Sequence, residues 1–331
     1  MNIALEDKIV RLMAKTLKKE SSNLKITAIA GGFTGASKYL LDGAKKKLFL
    51  KVADSKTHDV DAQLVEFEAK IYRLLANLGL TERLFPNYEN FVDEDGVKIL
   101  VIDYLGDVSW SAPWNEASIK KLDVALKKLH STRVSATNFA EIEKISGEVL
   151  SVLGQELHPK KISDEEIVKK NKPFFDAWSL EKGGFVNSIG ELYFASSNSL
   201  ADEIFEEAQK GLGEKKKVLI MHDLNFANIC FSKKQAYFVD PLFLRMGYAD
   251  SDRTLIGMNI LEQAGISINQ GFRSMIINKY ITNKIVLAKL IKYYVTATAE
   301  KLNKSQESWQ KFHQNCAVTA LKLFQDWNLD R

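Results

Sequence analysis

The character of the chain shifts near residues 104–108, from mainly short apolar runs to mainly helical spacing, and that shift bounds the fold class. From residue 24 the apolar residues come in short runs, 24–29, 38–41 and 48–53, separated by glycine-bearing turns at Gly31-Gly32 and Asp42-Gly43. Runs this short, punctuated this way, predict an antiparallel meander. Residues 58–78 then place Leu64, Phe67, Ile71, Leu74, Leu75 and Leu78 on one side of a helix, with Gly79 as its stop. Two more strands, 88–93 and 97–105, are expected across the turn Asp93-Glu94-Asp95-Gly96. Beyond Gly106 helical spacing takes over, in 119–130, 199–210 and 274–304. The pattern reads as α+β, with a sheet-rich part over 1–105, a mainly helical part over 106–331, and a ligand-sized cleft between them.

The opening residues fit this plan. Ile3, Ile9, Leu12, Met13 and Leu17 recur at near-helical spacing among lysines, which predicts an amphipathic packing helix over 3–19. Glu6, Asp7 and the shortage of arginine argue against a transit peptide.

Bulk properties narrow the class. With 331 residues and 46% hydrophobic content, a substantial core is expected. The nearly uncharged apolar stretches fall well short of the ~20 residues that span a bilayer, and the start lacks the apolar core of a signal peptide. A soluble cytoplasmic protein without a membrane partner, monomeric or homodimeric, is the expectation. Cys230 and Cys316 lie far apart with no Cys-x-x-Cys or His-Glu-x-x-His near them, so neither a disulfide framework nor a zinc site is indicated. The net charge of +4 comes largely from lysine runs at 45–47, 160–161, 169–172 and 215–217, which read as solvated turns. No basic patch interleaved with aromatics appears, so a nucleic-acid partner is not expected.

The chemistry concentrates in 218–240. Val-Leu-Ile-Met-His-Asp-Leu-Asn-Phe-Ala-Asn carries Asp223 and Asn228, and Ala-Tyr-Phe-Val-Asp-Pro carries Asp240. An Asp-x4-Asn pair alone is weak, since about one chance match is expected in a chain of this length. However, 218–221 and 236–239 are both β-prone, and a two-stranded ribbon formed by them would deliver Asp223 and Asp240 side by side. A carboxylate, a carboxamide and a second carboxylate can orient a hydroxyl and hold magnesium on a nucleotide's phosphates. The plainer reading makes Asp223 and Asn225 loop-capping turn residues.

The first part of the chain offers an independent test. Gly31, Gly32, Thr34, Gly35 and Ser37 lie between two predicted strands, where glycines let backbone N–H groups approach phosphate oxygens and the hydroxyls add donors. No Gly-Lys-Ser/Thr follows, so this is not a Walker sequence, and a hairpin turn is the alternative. Lys51 is a lone cation inside an apolar strand, either snorkelling from an edge or facing an anion in a cleft. Glu68 is the favoured partner, because it shares the face of Leu64, Tyr72 and Leu75 more nearly than Glu66 does.

In this order, glycine-rich hairpin, strand lysine, helix glutamate, linker, Asp-x4-Asn and a strand ending in Asp, the chain resembles the aminoglycoside phosphotransferase and choline kinase superfamily. The likeness covers roughly 24–260. Asp240-Pro241 and the stretch 247–252 are similar to fructosamine kinases. Where that superfamily usually reads His-Gly-Asp, this chain reads Met221-His222-Asp223.

The resemblance implies a protein-kinase-like bilobal fold that uses ATP, or GTP, with Mg2+. In its terms Lys51, paired to Glu68, steadies the phosphates beneath the 31–37 turn. Asp103, Tyr104 and Leu105 border the adenine; Asn228 and Asp240 hold magnesium; Asp223 orients the acceptor and takes its proton. Asp250 and Asp252 would brace the start of a following helix. The acceptor is a small molecule such as a sugar, amino alcohol or aminoglycoside, in a pocket built from 133–215 and 265–331. Trp178, Tyr193, Phe194, Trp309 and Trp327 lie there, as lining or as core. Met221 keeps a nucleotide-binding pseudokinase open as the alternative, and an accidental match in a helical interaction protein is the third reading.

Overall fold

A computed structural model describes residues 3–29, 35–110, 114–157, 216–264, 269–283 and, singly or in pairs, 286–287, 290, 315–316, 319–320 and 323. Gly31, Gly32, Thr34, the predicted helix 199–210, and Trp178, Tyr193, Phe194, Trp309 and Trp327 lie outside them. The chain divides into two compact units: Met1–Leu157 with Leu219–Asp223 and Ala227–Met246, and His158–Val218 with Leu224–Phe226 and Gly247–Arg331.

In the first unit, helix α1 (Ile3–Leu17) precedes strands β1 (Lys25–Ile29), β2 (Ser37–Asp42) and β3 (Leu48–Asp54). Helix α2 (Asp59–Asn77) follows, then β4 (Tyr88–Glu94) and β5 (Val97–Asp103). The meander is present, and β5 enters beside β3 to give an antiparallel sheet in the order β1-β2-β3-β5-β4. The β4–β5 turn is tighter than the four residues expected. Asp93 and Glu94 still pair with Lys98 and Val97, so only Asp95 and Gly96, both at positive φ, make the reversal.

Alternation along β3 sorts the two faces. Leu48, Leu50 and Val52 join Leu41, Ile99 and Val101 in a cluster closed by Ile9, Leu12 and Met13 of α1. The opening helix therefore packs on the sheet. Lys51 leaves by the opposite face, where Val65, Ile71, Tyr72 and Leu75 of α2 are buried.

Helix α3 (Glu116–His130) begins at a capping box in which the Asn115 side chain accepts from the Ser118 amide and Ser118 answers to the Asn115 amide. Helix α4 (Ala136–Leu157) was not foreseen, because Gly147 and the serines around it dilute the apolar spacing of Ile142, Ile145 and Val149.

The expected ribbon between 218–221 and 236–239 does not form. Val218–Ile220 (β7) pairs with Arg245–Gly247 (β10). Ala236–Phe238 (β9) pairs with Ile229–Phe231 (β8), and β8 pairs in turn with Ser109–Trp110 (β6). A hairpin over the short Ser232-to-Gln235 turn costs less loop entropy than joining strands fifteen residues apart, and Ser232 Oγ accepts from the amides of Lys234 and Gln235 at 3.2 and 3.1 Å to fix that turn.

In the second unit, helices α5 (Ala249–Ala264) and α6 (Gln270–Tyr280) pack at Gly257, where a Cβ would come within 2.6 Å of the Tyr280 Cβ. Asp250, in the first turn of α5, accepts from Thr282 Oγ1 at 3.2 Å and Asn283 Nδ2 at 3.3 Å. The helical run expected over 274–304 starts earlier, at Gln270, and breaks after Tyr280. Asn283 then starts a new helical segment: its Oδ1 accepts from the Val286 amide at 3.3 Å and its carbonyl from the Leu287 amide at 3.1 Å, the bonds of an N-cap. No helix among the described residues is long and apolar enough to cross a membrane.

Candidate active site

Lys51 is the centre of the arrangement. It emerges from the middle of β3 with 4% of its surface exposed, and its Nζ lies 2.5 Å from Glu68 Oε2 and 3.1 Å from Asp240 Oδ1. Burying a lysine against charged partners is the circumstance in which its cation is retained. Burial works against the charge, but Asp240 and Glu68 together raise the Lys51 pKa above its ordinary value. Burial pushes the Glu68 carboxyl up, to about 7, against the pull of Lys51. Glu66 turns elsewhere, to Lys98 and, at 2.8 Å, to Lys70.

A residue that the sequence did not single out links α2 to the end of β9. Tyr72, one turn beyond Glu68 and fully buried, has the Asp240 backbone beside its hydroxyl, which opposes the upward push of burial on its pKa. The i, i+4 spacing from Glu68 was the available signal. Asp240 itself sits at φ +52 just before Pro241, a left-handed conformation that costs a non-glycine residue free energy. Its side chain stays 41% exposed.

Asp223 and Asn228 are joined directly. Asn228 Nδ2 donates to the Asp223 carbonyl at 2.8 Å and to its Oδ2 at 3.1 Å. The Asn228 carbonyl accepts from the Val239 amide at 3.0 Å, next to Asp240. Asn228, at the end of a 3-10 turn (Phe226–Asn228), thus links the two carboxylates that the absent ribbon was expected to bring together. Strand β9 is anchored from outside the hairpin as well, by Phe238 N donating to Leu84 O at 2.7 Å and by Phe85 against the Phe238 ring at 5.8 Å.

Met221, in the position where His is usual, is fully buried. His222, where glycine is usual, adopts φ +62 and lies 2.8 and 3.0 Å from Arg245 Nη2 through its two ring nitrogens. The left-handed backbone that glycine adopts freely is kept here by a histidine in contact with a neighbouring strand.

The glycine loop is described only from Gly35. Its amide donates to Asp61 Oδ1 at 2.9 Å, and a Cβ there would come within 2.3 Å of Asp61 Oδ2, so a larger residue would displace that carboxylate. Ser37 opens β2. On the other side, Asp103 closes β5; its Oδ2 accepts from Asn87 Nδ2 at 2.9 Å and its Oδ1 meets Lys46 Nζ at 2.5 Å. The amides of Asp103 and Tyr104 donate to Asn87 O and Lys47 O, and the exposed Tyr104 ring has Lys47 over it at 5.9 Å. Leu105 follows directly, outside any regular element.

As a magnesium site the residues fit the ion. Among the described residues no group of three or more His, Cys, Asp or Glu is placed to hold a metal. Magnesium bound with a nucleotide needs only one or two protein oxygens, the phosphates and water supplying the others. Asp240 and Asn228 supply such oxygens, and with Asn228 Nδ2 committed to Asp223, its Oδ1 is the atom a metal would meet.

The backbone as a whole is similar to solved small-molecule kinases. The choline kinase LicA from Streptococcus pneumoniae superposes with a TM-score of 0.54 at 16% identity, over 96% of this chain and 99% of that one. Spectinomycin phosphotransferase APH(9)-Ia gives 0.52 at 17% identity, over 91% and 93%. Aminoglycoside phosphotransferase APH(4)-Ia gives 0.54 at 12% identity, over 94% and 97%. The chain has the aminoglycoside phosphotransferase and choline kinase fold. No protein-family model and no curated protein matches its sequence, so the likeness lives in the path of the backbone and in the placement of a few side chains.

Proposed function

We propose that the protein is an ATP-dependent phosphotransferase, with GTP as the alternative donor, acting on a hydroxyl or amine of a small molecule. The sugar, amino alcohol and aminoglycoside classes are the acceptors in view. The observation that carries the reading is the buried Lys51, held between Glu68 and Asp240 in a fold used by small-molecule kinases. An ammonium has three donors. Two face carboxylates, and the third is the natural partner of a phosphate oxygen.

In this reading residues 1–105 carry the nucleotide and 106–331 supply the acceptor side. The 31–37 turn covers the phosphates, and the linker borders the base. Because the amides of Asp103 and Tyr104 already donate within the chain, the hydrogen bond to the base falls to Leu105. Asn228 and Asp240 hold magnesium, which offsets charge on the transferred group. Asp223 accepts the proton as the acceptor oxygen bonds to the γ-phosphorus; the bond from that phosphorus to the bridging oxygen breaks, and ADP leaves with the electron pair. Asn228 fixes the Asp223 carboxylate through Oδ2, so positioning rather than basicity is what the site contributes. Related folds have been captured with ADP and spectinomycin and with AMP-PNP and hygromycin B, which supports a nucleotide and a small acceptor together.

A second reading rests on Met221: a nucleotide-binding regulator without transfer activity. A screen of ADP release across sugars, amino alcohols and aminoglycosides, run with wild type and Asp223→Ala, separates the two. Acceptor-dependent ADP release lost in the variant supports transfer; nucleotide binding with no release for any acceptor supports the regulator.

A further inference from the structure

Lys38 stands directly opposite Lys51 in the β2–β3 pairing. Residues opposed in an antiparallel pair project from the same face of the sheet, so the two cations share the side on which Glu68 and Asp240 gather. Like charges in this arrangement destabilise a sheet. Lys38 is half-buried, and among the described residues its side chain makes no hydrogen bond or ion pair. Burial and then Lys51 lower its pKa, while Asp240 and Glu68 raise it, so its ammonium is in electrostatic reach of the whole cluster. The sheet therefore carries an unfavourable pair of cations, and the carboxylates facing them among the described residues, Glu68 and Asp240, are paired with Lys51.

A polyanion resolves this arrangement. We propose that Lys38 is a second phosphate-contacting cation of the site, donating to the nucleotide's polyphosphate beside Lys51. The inference rests on the phosphotransferase reading above and adds a residue to it. Lysine suits the position because a compact ammonium on a flexible stem meets phosphate as a point charge. Lys38 follows the glycine turn by three residues, which sets it where β2 leaves Gly35. Asp240 gives the arrangement a charge logic: once that carboxylate engages magnesium, the two lysines face Glu68 alone and an incoming phosphate supplies the missing negative charge.

The test is calorimetric titration of Mg2+ with AMP-PNP, and separately of adenosine, into wild type, Lys38→Gln and Lys38→Arg, with thermal unfolding of each unliganded protein. Lys38→Gln is expected to weaken AMP-PNP about tenfold, the equivalent of ~1.4 kcal/mol, and adenosine by less than about twofold. Lys38→Arg should stay within about threefold for both. The unliganded Lys38→Gln protein should unfold no lower than wild type, since a like-charge pair has been relieved; should it fail to fold, Lys38→Met carries the same comparison. Unchanged AMP-PNP affinity in Lys38→Gln, or an equal loss for adenosine, overturns the assignment and leaves the phosphotransferase reading standing. A wild type that binds neither ligand overturns both.

Discussion

Lys51 and Glu68 reach each other from the middle of a seven-residue strand and the middle of a nineteen-residue helix, each inside the first unit's packed interior. Asp223 and Asp240 stand just beyond three-residue strands, next to or upon backbone in the left-handed region. The lysine half is positioned by regular structure and a core that would exist without it. The carboxylate half is positioned by specific hydrogen bonds, Asn228 to Asp223 and Val239 to Asn228, with the Asp240 backbone beside the Tyr72 hydroxyl. Rigid packing guarantees the cation; a small polar network, with some backbone strain, aims the acids. Strain of this kind persists only where the surroundings over-determine it.

The contrast can be broken by mutation. The largest effect is expected at Asp223→Ala, where transfer should fall on the order of 10³-fold, within the range for loss of a positioned proton acceptor, with Mg-AMP-PNP affinity nearly unchanged. Equal loss of both would mean that Asp223 builds the nucleotide site instead. Glu68→Ala leaves a buried cation with only the half-exposed Asp240. Urea unfolding should show a cost of about 3 kcal/mol, against less than about 0.5 kcal/mol for Glu66→Ala two residues away. Similar costs for the two glutamates would remove the distinction between a buried and a surface pair.

The same pair predicts a pH dependence. The Glu68 carboxyl titrates near 7 in the fold against a usual 4.5, so between those values the folded chain holds a proton that the unfolded chain has released. That contribution is complete below 4.5 and is lost as the pH rises through 7. Stability measured across this window should therefore decline with rising pH through this group, and Glu68→Gln should flatten the decline. The smallest effect is at His222. A left-handed residue reverses the usual preference, so His222→Gly should be more stable than His222→Ala by about 1 kcal/mol in the same unfolding assay. The opposite order would mean that the backbone at position 222 is not held in the left-handed region.

Legibility in the sequence follows the same division. The sheet, α1, α2 and the preference for Glu68 over Glu66 could be read because period and helical face are local properties. The pairing of β7 with β10 could not, since 218–221 and 236–239 are equally β-prone and only the short turn after Phe231 decides which strand each one takes. Tyr72 looked like another core residue, because its burial is in the pattern while its hydroxyl's partner, 168 residues on, is not. Lys38 was hidden for a related reason: a lysine after a glycine turn reads as solvent-facing until the β2–β3 register sets it against Lys51. The break after α6 was missed because the N-cap at Asn283 that starts the next segment acts through a side-chain bond that periodicity does not register.

The most direct test of the account asks whether the two halves make one site. Calorimetric titration of AMP-PNP, with and without Mg2+, should give binding to wild type that tightens with the metal. In Asp240→Asn, AMP-PNP should still bind, and the tightening by Mg2+ should be lost. Magnesium dependence undiminished in Asp240→Asn would contradict the placing of the metal between Asn228 and Asp240 and with it the union of the two halves.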